Sequence, residues 1–187
     1  MTTSDRDFGK PSKKLTSSLP EKYTTVAVDQ TRKTVGCDLY RAWFPQGERI
    51  PLPYWSESDA IKLLGAVSEN GETVFSEVNG RFTSDVTVHY LQALQDELGD
   101  HLHVVLDNAT YFASNQVAEF VENSALKLTF LPAGSPDLNP VEECWRQFKR
   151  ALGNRFFQSI EELRAEAFAA LADVSPPKLI DYFCPSV

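Results

Sequence analysis

At 187 residues, 42% of them hydrophobic and 11% aromatic, the chain is long enough for one well-buried domain and short for two. Its 18 basic and 26 acidic residues leave a net charge of −8, the wrong sign for a protein that coats nucleic acid. No run of about 18 apolar residues offers a membrane span, and the polar start "MTTSDRDFGKPSKKLTSS" lacks the apolar core of a secretory signal.

Residues 1–22, rich in Ser, Thr, Lys and Pro, read as a flexible tail or linker, with 23–187 as the folded domain. The tail holds five basic and three acidic residues, so the remainder carries −10. An acidic surface of that kind suits a salt-rich cytoplasm, where DNA binding must survive screening. "YTTVAVDQ" is a β-branched run that predicts a buried strand ending in Asp29, and "GCDLYRAWFPQG" a second strand stopped by Pro45 and Gly47. "IKLLGAVSENGETVFSEV" predicts two strands joined around Glu69, Asn70 and Gly71, a hairpin signal.

Helical spacing then places Val88, Leu91, Leu94 and Leu98 on one stripe, with Gly99 as the stop. "HLHVVLDNA" predicts a buried strand ending in Asp107, "ASNQVAEFVENS" a helix and "LKLTFLP" a strand. A helix opens within "SPDLNPVEECWRQFKR" and "SIEELRAEAFAALADV" forms a last amphipathic one. A strand meander followed by alternating helix and strand predicts an α/β fold, a mixed β-sheet with helices on both faces. Cys37, Cys144 and Cys184 are widely spaced, match no zinc pattern and read as reduced thiols.

Three acids stand at element ends: Asp29, Asp107 and Glu142. Strand ends in open α/β sheets gather at the edge where ligands bind, and three carboxylates converging there suit one or two hard divalent cations. Each acid also has an ordinary reading. An aspartate at a strand end is more often a turn or cap residue. With Asn139 as N-cap and Pro140 at the first helical position, Glu142 falls where a capping-box carboxylate belongs. Spacing alone does not decide between these readings.

The blocks "VAVDQT", "AWFPQG", "VVLDNATYF" and "LPAGSPDLNPVEECWRQFKR" resemble successive blocks of the insertion-sequence transposases of the Tc/mariner superfamily, over roughly residues 23–170. "SPDLNPVEECW" is the most specific of them, and the 34 residues between Asp107 and Glu142 are the interval typical of that superfamily. The resemblance implies a ribonuclease H-like fold and a DDE catalytic domain at 23–187. It implies Asp29, Asp107 and Glu142 as catalytic acids and metal ligands, holding Mg²⁺ or Mn²⁺, two ions in all. The implied activity is metal-dependent DNA cleavage at transposon ends and strand transfer into target DNA, in a prokaryotic cytoplasm, nucleoid-associated when active. Partners implied are DNA, a second copy of the chain in a homodimer, and a separate or fused N-terminal helix-turn-helix segment, since residues 1–22 are too short to form one. Gln30 and the pair Tyr111 and Phe112 depart from the superfamily's pattern, which often has an acid after the first aspartate and a histidine after the second. Two other readings are a ribonuclease H-like nuclease that cuts without transposing and a degenerate remnant that only binds DNA; three intact acids argue against the remnant.

Around the acids, Glu143 points about 100° away from Glu142 and reads as a solvated or paired charge. Arg146, Lys149 and Arg150 are DNA-binding candidates that serve equally well as partners of the helix C-terminus and of surface acids. Asn108 either orients a phosphate or water, or closes the turn after its strand. Trp145 reads as packing the helix onto the sheet, Trp43 as core or rim, and His89, His101 and His103 as structural.

Overall fold

The first strand is longer than its apolar run. In the computed structural model, which describes residues 23–36, 46–47 and 59–183, β1 spans Thr24–Thr34 and carries Asp29 in its middle rather than at its end. The cause is an alternation the apolar run conceals: Ala27, Asp29, Thr31, Lys33 and Val35 all take one face, and all are buried. Lys33 is accommodated there by donating to the carbonyls of Thr34 at 2.7 Å and Gly36 at 2.8 Å. The strand expected within "GCDLYRAWFPQG" and the tail at 1–22 lie outside the described residues.

The remaining elements follow the expected order. β2 (Ala60–Ser68) and β3 (Thr73–Glu77) form the hairpin, with Gly71 at φ +85° in its turn. After them come α1 (Ser84–Leu98), β4 (Leu102–Leu106), α2 (Asn115–Glu122) and β5 (Lys127–Phe130). A 3₁₀ turn at Pro136–Leu138 leads into α3 (Val141–Ala151), followed by α4 (Ile160–Ala172) and a short α5 (Ile180–Phe183) that the sequence did not suggest. Thr83, Ser114 and Ser159 cap α1, α2 and α4, each accepting from a backbone N–H three residues on. On α1 the buried residues are Thr87, Tyr90, Leu91 and Leu94; Val88 and Leu98 of the expected stripe are half-buried at its margins.

The sheet has the order β3-β2-β1-β4-β5 and is mixed, with β1, β4 and β5 parallel and the others antiparallel. Each face buries its own core. One joins Ala27, Leu63, Val67 and Val105 to α3 and α4; the other joins Val26, Val28, Leu64 and Val104 to α1 and Val117 of α2. Helices therefore cover both faces, as the strand and helix order predicts.

Sheet register is what places the acids. The parallel β1–β4 ladder ends at Ala27 opposite Val105, while β1 continues alongside β2 as far as Thr34 opposite Ala60. Two residues beyond the Ala27–Val105 pair, following each strand's direction, come Asp29, on the face of Ala27 that α3 covers, and Asp107, just past the end of β4.

Candidate active site

Three elements deliver the three acids to one place. Asp29 from β1, Asp107 just after β4 and Glu142 from the first turn of α3 line a single cavity of about 310 Å³. The loop from Leu131 to Pro136 forms its far wall, and Asn108, Ala109 and Asn139 complete it.

The acids differ in surroundings. Asp29 is 4% exposed, and its Oδ2 has no hydrogen-bond partner among the described residues. Asp107 is half-buried and held at both oxygens: Gln30 Nε2 donates to Oδ2 at 3.2 Å and the Ala109 N–H to Oδ1 at 3.0 Å. Gln30, where the resembling superfamily often has an acid, thus serves to orient Asp107. Glu142 is exposed; its backbone N–H donates to the Asn139 carbonyl at 3.1 Å, and its carboxylate makes no hydrogen bond among the described residues.

The capping box anticipated for Glu142 is absent, and the helix is capped differently. Asn139 accepts from the Val141 N–H at 3.2 Å, while its Nδ2 donates to the carbonyl of Val28 at 3.0 Å. One buried amide therefore satisfies the helix start and ties it to β1 beside Asp29, which leaves the Glu142 carboxylate free to face the cavity. The sequence read Asn139 as a local cap; its long-range half has no sequence signature.

Burial and charge act together on Asp29. Burial raises its carboxyl most, and the neighbouring Glu142 and Asp107 raise it further; the Gln30 backbone N–H and the Trp145 indole oppose them. The net result is a pKa pushed up to about 7 from 3.8. Tyr111 is pushed well above its ordinary range by burial, then by Asp107 and Asp29, so its phenol stays protonated near the acids. Phe82 stacks on that ring at 5.6 Å.

A pH dependence follows. Without metal, folded Asp29 keeps its proton up to about pH 7, whereas the unfolded chain releases it near 3.8. Between those values the folded state binds more protons, so stability falls as pH rises and the contribution is gone above pH 7. In EDTA at pH 8, Asp29→Asn is expected to exceed the wild type in unfolding free energy by on the order of 2–4 kcal/mol, and to match it at pH 4. Urea melts at the two pH values check this; a difference of the same size at both would remove ionisation as the cause.

The other candidate residues divide. Asn108 lines the cavity, and its amide donates to the Leu131 carbonyl at 3.0 Å, bracing the wall loop. Arg146 lines a second cavity of about 480 Å³ that shares Pro136, Asn139 and Glu142 with the first, and it pairs with Glu143. Glu143 is thus the paired charge expected, accepting also from Gln147 at 3.2 Å. Lys149 and Arg150 sit in the last turn of α3 and line neither cavity. Cys144 is a free, buried thiol pushed up to about 11 by burial, and so inert. Cys37, Cys184 and Trp43 lie outside the described residues. His103 bonds Thr129 Oγ1 at 2.8 Å, His89 bonds the Asp85 carbonyl at 2.7 Å and His101 packs edge-on to Tyr23, all structural roles.

Among the described residues no three carboxylate, imidazole or thiol groups stand as a ready-made ion cage. The donor set is nevertheless the right kind: three carboxyl groups, hard oxygen donors, with one buried oxygen unpaired among the described residues and a mutual repulsion that a cation would relieve.

Residues 24–164 match the family model described as DDE superfamily endonuclease. No curated protein matches the chain. Among solved structures, the Mos1 transposase paired-end complex with left transposon end is similar at TM-score 0.63 and 16% identity, covering 85% of this chain and 50% of that one. The Mos1 mariner paired-end complex with Mn gives 0.61 and 16%, with the same coverage. The catalytic domain of Mos1 mariner transposase gives 0.56 and 15%, covering 85% of this chain and 73% of that one. At such identities the likeness carries the fold, which is ribonuclease H-like. The chain spans about half the length of the longer transposase chains it matches.

Proposed function

This chain belongs to the DDE superfamily endonucleases, and from that membership we propose that residues 23–187 are the catalytic domain of a Tc/mariner-type transposase. It would cleave DNA at transposon ends and join the freed 3′-hydroxyl to target DNA, with Asp29, Asp107 and Glu142 as the catalytic acids. The observation that supports this most is the meeting of those acids, from three separate elements, in one cavity. The Mos1 complexes with transposon ends and with Mn are consistent with DNA as substrate and a divalent ion as cofactor.

Asp29, Asp107 and Glu142 would hold Mg²⁺ or Mn²⁺, two ions, which when bound activate the attacking oxygen and stabilise the leaving one in phosphodiester chemistry. The chain's own part is positioning. Gln30 and the Ala109 N–H fix the Asp107 carboxylate, and Asn139 fixes Glu142 relative to Asp29 by joining their two elements. Buried Asp29 must ionise to ligate, so metal uptake weakens as pH falls below about 7.

Asn108, Arg146, Lys149 and Arg150 are the residues we assign to phosphate contact. They are few, and the chain is acidic, so its own affinity for duplex DNA should be weak and salt-sensitive, each phosphate contact adding about −0.9 to the log–log salt slope. End recognition then falls to a helix-turn-helix segment, fused or separate, in a homodimeric complex. Titrating this chain with transposon-end and scrambled duplexes at several salt concentrations tests that division; tight binding with strong preference for the end sequence would overturn it. The function itself is tested by incubating the protein with DNA carrying the cognate ends and Mg²⁺ or Mn²⁺. Nicking without joining would indicate a nuclease, and no cleavage with either ion would end the proposal.

A further inference from the structure

Trp145 does more than packing requires. Its indole lies between α3 and the sheet, with its ring centroid 5.5 Å from Phe75 of β3 and 6.0 Å from Phe148 of α3. Gly65 makes the room: a Cβ there would fall 2.6 Å from both Cη2 and Cζ2 of the indole. Gly65 is the residue paired with Asp29 across the β1–β2 ladder. Residues so paired project to the same side of the sheet, so the indole occupies the space next to the Asp29 side chain.

Packing explains the rings and leaves the nitrogen unexplained. A buried indole N–H ordinarily finds an acceptor. Trp145 is 1% exposed, and among the described residues no acceptor closes on its Nε1. Oδ2 of Asp29 is likewise buried and unpartnered. The indole lies against Gly65, the cross-strand partner of Asp29, and acts to draw the Asp29 carboxyl downward against its burial. A buried donor and a buried acceptor, neither satisfied within hydrogen-bond limits among the described residues, thus stand on the same side of the sheet.

We propose that Trp145 is a positioning residue whose indole N–H closes onto the Asp29 carboxylate when that carboxylate holds a divalent cation, fixing which oxygen is turned to the cavity. The inference rests on the reading of Asp29 as a metal ligand. A ligating carboxylate offers one oxygen to the ion, and its other oxygen, buried here, needs a donor to hold the plane of the group. Helix α3 supplies both requirements from one turn: Glu142 to the cavity and, three residues on, the N–H beside Asp29. A phenylalanine at 145 would pack over Gly65 and leave the oxygen without its donor.

The test separates shape from hydrogen bonding. Benzothienylalanine, which has sulfur in place of the indole N–H and the same outline, is incorporated at position 145 alone; Trp145→Phe is made in parallel. Mn²⁺ binding to the full chain is measured by isothermal titration calorimetry, with Asp29→Asn as the reference for loss of the site. The expected result is Mn²⁺ affinity weakened about tenfold in the benzothienylalanine protein, the scale on which outer partners of metal ligands act, with its thermal midpoint kept. Affinity within twofold of the wild type in that protein would overturn the inference and leave the metal reading intact. Failure of the wild type itself to take up Mn²⁺ in a manner that Asp29→Asn abolishes would instead overturn both. Should Trp145→Phe fold poorly, the isosteric residue still decides.

Discussion

Glu142→Gln is expected to lower DNA strand cleavage by at least about a hundredfold, while Glu143→Gln keeps most of it. Partners that merely orient a metal ligand cost about 10–100-fold when removed, and loss of an anionic ligand itself should exceed that. The two glutamates are adjacent, but their surroundings differ. Glu142 lines the cavity with Asp29 and Asp107, and its carboxylate makes no hydrogen bond among the described residues, so that carboxylate has no structural duty to lose. Glu143 faces Arg146 and Gln147 at the surface, where an exposed pair is worth roughly 0–1 kcal/mol. Both variants should therefore fold, and a cleavage assay in Mn²⁺ compares them directly. Equal losses in the two, or full activity in Glu142→Gln, would mean that the third acid has been misassigned.

Asn139→Ala is expected to carry the largest stability cost of a single change near the site. It removes the donor to the Val28 carbonyl and the acceptor of the Val141 N–H in one step, both in a buried setting. Leaving a buried polar group unsatisfied costs about 1–3 kcal/mol, which makes a combined loss of roughly 2–4 kcal/mol reasonable here. Cleavage should fall as well, because the same amide sets where Glu142 stands relative to Asp29. Asn139→Asp keeps the acceptor, loses the donor and adds a fourth negative charge beside the acids, so it should rescue little. Urea unfolding measures the effect, and an Asn139→Ala protein within about 0.5 kcal/mol of the wild type, the usual size of a surface substitution, would show that water or the backbone replaces the amide.

The readable parts of this protein were those written in local pattern. Alternation and turn residues identified the hairpin, α1 and the parallel strands, and the family resemblance carried by "SPDLNPVEECW" and by the interval from Asp107 to Glu142 pointed to the acids. What escaped were features set by partners distant in the chain. β1 looked finished at Asp29 because Gln30, Thr31, Arg32 and Lys33 are polar, although Thr31 and Lys33 keep the buried parity of Ala27 and Asp29. Glu142 looked like a cap because the helix start has capping-box spacing, whereas Asn139 satisfies that start and spends its other half on Val28. Gly65 gave no sign of its purpose, since the ring that needs its missing Cβ lies 80 residues later. Trp145 was correctly read as packing the helix, but the direction of one N–H is invisible in a sequence.

The tie between Asn139 and Val28 spans 111 residues, and this has a consequence for a chain still being made. Synthesis proceeds from the N-terminus at about 5–20 residues per second, with early segments free to collapse as they emerge. All five sheet strands and two of the acids precede residue 131, so the sheet can assemble while the third acid is still unmade. Only when the segment from Asn139 onward docks does the nascent chain gain its last carboxylate, and the docking residue is the one that fastens to the oldest strand. Until that segment docks, the sheet face that α3 and α4 cover stays open, so the three acids come together only as the domain itself is completed.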